Sequence, residues 1–144
     1  MSFFQSNRIF TKVILPLCLF LLLLSAVSGC SQTKVPKKVS SIEYTVVKGP
    51  DIPEDLAVLI KERKTEPFSM TYAEKNQLYV VKGFGEQKTG GYSIRIQDFY
   101  QAEKEMVFLS ELIGPKEDAK VSKKASYPYI VIKLEYRKDP VLFL

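Results

Sequence analysis

The chain has no histidine, and its only cysteines are Cys18 and Cys30. Those two facts remove most of the enzyme chemistry that a small protein can carry. Histidine is the commonest general base near neutral pH and the commonest metal ligand, and zinc rarely relies on carboxylates alone. Two spacings imitate active-site motifs. Ser31-x-x-Lys34 has the serine and lysine spacing of penicillin-binding enzymes, but that chemistry needs the serine at a helix start in a dry pocket. Here it falls in a polar stretch, Ser31 to Ser41, without an aromatic residue. Gly83-x-Gly85 followed by Lys88 imitates the start of a phosphate loop, yet it lies between alternating strand patterns and lacks the third glycine and the following helix. The 16 acids, scattered over turns and one helical stretch, read more simply as a solvated surface than as a catalytic carboxylate pair. No catalytic residue, metal site or cofactor is expected from this inventory.

The one remaining reactive group is the Cys30 thiol, and its position suggests its use. Arg8 and Lys12 precede a run from Val13 to Val27 broken only by Pro16 and Ser25, and Ser28 and Gly29 stand directly before Cys30. A basic n-region, an apolar h-region and a small-residue cleavage site make residues 1–29 a signal peptide. Val27-Ser28-Gly29-Cys30 resembles the lipobox of bacterial lipoproteins, in which a signal peptidase cuts before a diacylglycerol-modified cysteine. The resemblance implies that Cys30 is lipidated and that the membrane is a partner through that acyl group. It also implies a place on the extracytoplasmic face of the cell membrane. Two plainer readings stay open. An uncleaved anchor would need about 20 apolar residues where this run has about 15, and ordinary secretion would leave Cys30 free.

With 1–29 removed, the remainder is enough for one domain of ordinary size. Cys18 leaves with the signal peptide, so no disulfide can staple that domain, and packing and the backbone ladder must hold it. The formal charge is +5, and Arg8 and Lys12 belong to the removed segment. A surplus that small, with lysines dispersed among Glu and Asp, does not make a nucleic-acid surface. The one local cluster, Lys34, Lys37 and Lys38, lies close to Cys30. Each could add about 1 kcal/mol of attraction to anionic headgroups, or simply keep a solvated tether extended. Residues 30–41 are read as the lipidated cysteine and a flexible tether, and 42–144 as the single domain.

Ile42, Tyr44 and Val46 alternate with Glu43, Thr45 and Val47, which predicts a strand ended by Lys48-Gly49-Pro50. A helix is predicted near 53–64. Asp51-x-x-Glu54 has the spacing of a capping box, and Pro53 suits a first turn. Ile52, Leu56, Leu59 and Ile60 share one face, and Pro67 stops the element. Strands follow over 68–72, 77–84, 92–96, about 106–112 and 127–136, with a turn at 73–76 and a loop over about 113–126. The predicted fold class is α+β: one antiparallel sheet of about five to seven strands with a single amphipathic helix packed on one face. The expected core is Leu56, Leu59, Ile60, Val80, Ile94, Ile96, Ile130 and Ile132, followed by Leu78 and Leu134.

Thr89-Gly90-Gly91-Tyr92-Ser93-Ile94, then Val107 to Pro115, then Ser126-Tyr127-Pro128-Tyr129-Ile130-Val131-Ile132, is similar to the C-terminal domain of PrcB-type protease complex subunits. The family's named member is a lipoprotein that supports assembly of a cell-surface serine protease. The resemblance therefore implies an extracytoplasmic compartment and an extracytoplasmic protein partner such as a protease. Read from the residues, Glu86, Gln87, Lys88, Thr89, Gly90, Gly91 and Tyr92 form the candidate binding loop. Glycines free the backbone to approach another molecule, and polar groups stand between two strands that act as a scaffold. A purely structural reading is also open: Gly90 and Gly91 turn the chain, and Tyr92 lays its ring on the core. The expected function is a membrane-anchored, non-catalytic binding or assembly subunit for a surface protease or envelope complex. The alternative is a binder of a small envelope ligand, a glycan or peptide, through a cleft.

Overall fold

A computed structural model describes residues 35–144. The expected signal peptide, Cys30 and residues 31–34 of the expected tether lie outside the described residues. The elements are β1 (Ser40–Ser41), β2 (Thr45–Val47), a 3-10 turn at Gly49–Asp51, α1 (Glu54–Arg63), β3 (Pro67–Glu74), β4 (Gln77–Phe84), β5 (Ser93–Gln101), β6 (Met106–Ile113), β7 (Tyr129–Glu135) and β8 (Val141–Phe143).

The α+β class holds, but the single sheet is replaced by two. One has the order β1-β5-β6-β8 and the other β2-β7-β4-β3. Pairing is antiparallel except that β8 runs parallel to β6. The physical reason for two sheets lies in the central strands β4 and β7, which bury neighbouring residues rather than alternate ones. Val80 and Val81, and Val131 and Ile132, are all essentially inaccessible, so the sheet that holds them is covered on both faces. On one face Leu78, Val80, Ile132 and Leu134 pack with Phe99, Met106 and Phe108 of the other sheet. On the other face Tyr79, Val81 and Val131 pack with Val47 and with Ile52, Leu56 and Ile60 of the helical segment. The layers are therefore helix, sheet, sheet.

Of the expected core, Leu56, Ile60, Leu78, Val80, Ile132 and Leu134 are buried. Leu59, Ile94, Ile96 and Ile130 are only half-buried. The shortfall in β5 has a local cause. The register against β6 shifts between Ile96 and Asp98, and a bulge there changes the phase of alternation. Burial passes from Ile94 and Ile96 to Phe99, which packs edge-on against Phe108 at 5.7 Å.

Three further expectations are corrected. The capping box does not form: Pro53 holds the N-cap position of α1 with no side-chain cap, and Asp51 lies in the preceding 3-10 turn. Ile52 is extended, as a residue before proline prefers, and this puts Asp51 too far out to cap. The strand predicted from Ile42 is shorter than expected: β2 holds only Thr45–Val47, with Val47 buried and Val46 exposed, and Tyr44 before it is exposed. Ile42 belongs to the core between the sheets, because the chain changes sheets between β1 and β2.

The tether does not extend to Ser41. Pro36–Leu144 form one unit, and the residues before Ile42 are fastened along β5. The Tyr100 hydroxyl donates to the Pro36 carbonyl at 2.7 Å, Val39 N–H donates to the Gln101 carbonyl at 2.8 Å, and Lys38 pairs with Asp98 at 2.8 Å.

The strand directions give the unit two ends. At one end lie Ser40, the turn from Gln101 to Met106, the hairpin turn between β3 and β4, and the connection from β7 to β8. At the other end lie the start of β3, the end of β4, the start of β5, the end of β6 and the start of β7. Nine residues of β5 separate them, about 30 Å at 3.3 Å or slightly more per residue.

Candidate functional site

The Gly85–Tyr92 loop leaves β4 at the end remote from Ser40. A second loop, 114–128, joins β6 to β7 at the same end. The two are tied together. Gln87 and Ser126 exchange backbone hydrogen bonds at 2.8 and 2.9 Å, and Gly90 N–H donates to the Ser122 carbonyl at 2.9 Å. The Ser126 hydroxyl donates to the Thr89 carbonyl at 2.6 Å. Residues 87–90 and 122–126 are thus laced together beyond the sheets by one isolated antiparallel bridge and two further hydrogen bonds, and this tied pair of loops is termed the ribbon. Its root is fixed as well: Glu86 N–H donates to the Thr65 carbonyl at 3.0 Å, and the Gln87 amide donates to the Phe84 carbonyl at 3.0 Å.

Glycine is required at three places in this framework, the first being Gly85, which has φ +73° and no room for a Cβ beside Pro67. Gly91 has φ +86°, and a Cβ there would collide with Val121 and press on Pro115 at 3.1 Å. Gly83, inside β4, lies under the ring of its cross-strand neighbour Phe68, so a side chain at 83 would displace that ring. Gly90 has no positive φ, so only part of the expectation for the glycine pair is met. The phosphate-loop likeness at Gly83 dissolves for the same reason: this glycine serves strand packing.

An aromatic and charged cluster sits beside the ribbon. The Tyr127 hydroxyl donates to Glu86 Oε2 at 2.9 Å, and the Lys64 ammonium stands 4.6 Å from the Tyr127 ring centroid, within range of a cation–π contact. The cluster joins the helix C-terminus to both loops. The hydrogen bond and negative charge of Glu86, followed by desolvation, raise the Tyr127 pKa above its ordinary 10.0.

The seven residues of the candidate loop are thus divided in role. Glu86, Lys88 and Gly91 are exposed, and Gln87, Thr89 and Gly90 are half-buried in the ribbon. Tyr92 is half-buried beside Gly114. Sequence reasoning missed Lys64, Ser126 and Tyr127 as parts of the same surface. The available signal was the Ser126-Tyr127-Pro128-Tyr129 run. Its hydroxyls needed partners, and only a long-range register could show that those partners are Thr89 and Glu86.

A second feature lies at the opposite end. An open groove of about 1090 Å³ runs between the crossing from β1 to β2 and the end of β7, with Glu43, Tyr44, Gln77, Lys133, Glu135 and Arg137 among its walls. Among the described residues no group of three or more His, Cys, Asp or Glu converges as a metal site. No helix among them is long and apolar enough to cross a membrane.

Residues 78–135 match the family model of the PrcB C-terminal domain. The match runs from β4 to the end of β7. It takes in both loops of the ribbon and covers less than half of the chain. No curated protein matches the chain, and no solved structure does.

Proposed function

We propose that this protein is a lipid-anchored, non-catalytic binding subunit, held through Cys30 on the extracytoplasmic face of the cell membrane. Its Gly85–Tyr92 loop engages a protein of a surface protease complex or another envelope assembly. The observation that carries the reading is the ribbon itself. Its backbone is fixed by hydrogen bonds across two loops, while Glu86 and Lys88 remain exposed on it. A loop ordered in advance loses less conformational entropy when it binds. The family match over 78–135 supports a role beside a protease rather than as one, and the absence of histidine agrees with that. The lipobox supports the anchor.

The test is cross-linking in cells with a Glu86, Gln87 and Lys88 triple alanine variant. The variant is expected to fold normally and lose its captured protein. A normally folded variant that captures at full yield would remove the loop from consideration.

The groove at the opposite end supports a second reading, a binder of a small envelope ligand. Its volume matches ligand pockets, but its walls are charged and open where such pockets are mostly apolar and enclosed. Short glycan and peptide fragments are the probes. Chemical-shift changes confined to Glu43, Tyr44 and Lys133 would favour this reading over the loop.

A further inference from the structure

We infer that the end of the domain bearing the ribbon is a cationic docking surface for an acidic segment of a protein partner, with Lys88, Lys123 and Lys124 as its main contacts. This rests on the proposed role of the Gly85–Tyr92 loop and adds the chemistry of what that loop meets.

The first support is where unpaired charge collects. The 114–128 loop carries Lys116, Lys120, Lys123 and Lys124 against Glu117 and Asp118, and all six are exposed. The salt bridges among the described residues use Lys38, Lys75 and Arg95, and none uses a lysine of the ribbon. Lys88 lies between the tie points Gln87 and Gly90, and Lys123 and Lys124 lie between Ser122 and Ser126. The ties therefore bring three cations onto facing arms of one short ribbon. Glu86, two positions before Lys88, accepts the Tyr127 hydroxyl.

The second support is the stiffness of that placement. Lysines on a solvated loop would spread apart, because like charges on mobile chains avoid each other. Here the backbone beneath them is held by the Gln87–Ser126 bridge, by Gly90 N–H on the Ser122 carbonyl, and by the Ser126 hydroxyl on the Thr89 carbonyl. A fixed group of like charges raises the local concentration of an oppositely charged partner and speeds its association.

The third support separates a protein from a lipid surface. Anionic headgroups are the other common partner of clustered lysines, but the chain enters the folded unit at Pro36, fastened to the far end of β5. The ribbon lies about 30 Å away along that strand. An anchor at Cys30, five residues before the start of the described chain, would draw the Pro36 end toward the bilayer. The ribbon would then point outward.

The test uses the full mature protein in detergent, a fluorescent glutamate-rich peptide as probe, and vesicles of phosphatidylglycerol as comparison. The Lys88→Glu, Lys123→Glu, Lys124→Glu variant is expected to bind the peptide at least about tenfold more weakly. A charge-matched Lys75→Glu, Lys104→Glu, Lys138→Glu control at the other end should bind like the unaltered protein. Binding to the unaltered protein should weaken steadily with added salt. Equal loss in both variants, or no loss in the ribbon variant, overturns the inference. So does a ribbon that takes the vesicles through the same lysines and ignores the peptide. Capture in cells distinguishes this failure from failure of the underlying reading. If the triple alanine at 86–88 abolishes capture while Lys123→Glu, Lys124→Glu leaves it intact, the loop remains the binding site and the acidic partner is excluded. If neither variant affects capture, both ideas fall.

Discussion

Gly91 and Gly90 are adjacent and chemically identical, yet they make opposite demands on the chain. Gly91 sits at φ +86° with Val121 against its α-carbon, whereas Gly90 keeps ordinary backbone angles, and a Cβ there would meet Ser122 only at 3.4 Å. Gly91→Ala is expected to cost about 1 kcal/mol or more in denaturant unfolding, and Gly90→Ala to be neutral or slightly stabilising. Equal effects at the two positions would contradict the ribbon geometry. Tyr127 offers a residue-level pH signature. Its folded pKa is raised above 10.0 by Glu86, so the neutral phenol is favoured in the folded state. That contribution is complete below the ordinary tyrosine range and is lost as pH rises beyond it. An ultraviolet titration should show Tyr127 and Tyr72 ionising late, and Glu86→Gln should bring Tyr127 earlier while leaving Tyr72 where it is. From sequence the pair Gly90-Gly91 could be marked as a turn. Which of the two needs positive φ depends on Val121, thirty positions downstream of Gly91, and no local pattern reports that.

The elements fared unevenly for reasons that are physical. The helix was legible because its apolar residues recur on one face and prolines bound it. The β3–β4 hairpin was legible because two strand-forming runs, 68–72 and 77–84, stand either side of a polar turn that holds Lys75-Asn76. Both turn residues have positive φ, 47° and 61°, which is the geometry of a tight two-residue hairpin. Leu56, completely buried between α1 and the sheet, is expected to cost about 2–5 kcal/mol when changed to Ala. A change of under about 1 kcal/mol would mean that the helix does not pack there.

Two sheets could not be read in advance, because period-2 alternation names a strand's faces and not its neighbours. β8 was missed because three residues, Val141 to Phe143, are too few to show alternation. The N-terminal strap was missed because its attachment is made by partners such as Tyr100, Asp98 and Gln101, all supplied by β5. Amide exchange tests it. The Val39 and Ile42 amides, bonded to Gln101 and Phe99, should exchange more slowly than that of Lys37. Uniformly fast exchange through residue 42 would restore a tether over that whole length.

At the scale of the molecule, the two ends of the unit bear on the proposed anchor. A lipid on Cys30, close in sequence to Pro36, would hold the Pro36 end near the bilayer and leave the ribbon facing outward. Cys30→Ala should abolish labelling by a clickable fatty acid and either release the protein or leave the precursor uncut. Labelling that survives the substitution removes the anchor. The most direct measurement of the central claim places a photo-crosslinking amino acid at position 88 in one strain and at position 138 in another, then maps the captured peptide by mass spectrometry. The expected result is a discrete extracytoplasmic protein captured through an acidic segment from 88, with none from 138. Capture of the same protein from both positions, or from 138 alone, would contradict a binding surface on the ribbon.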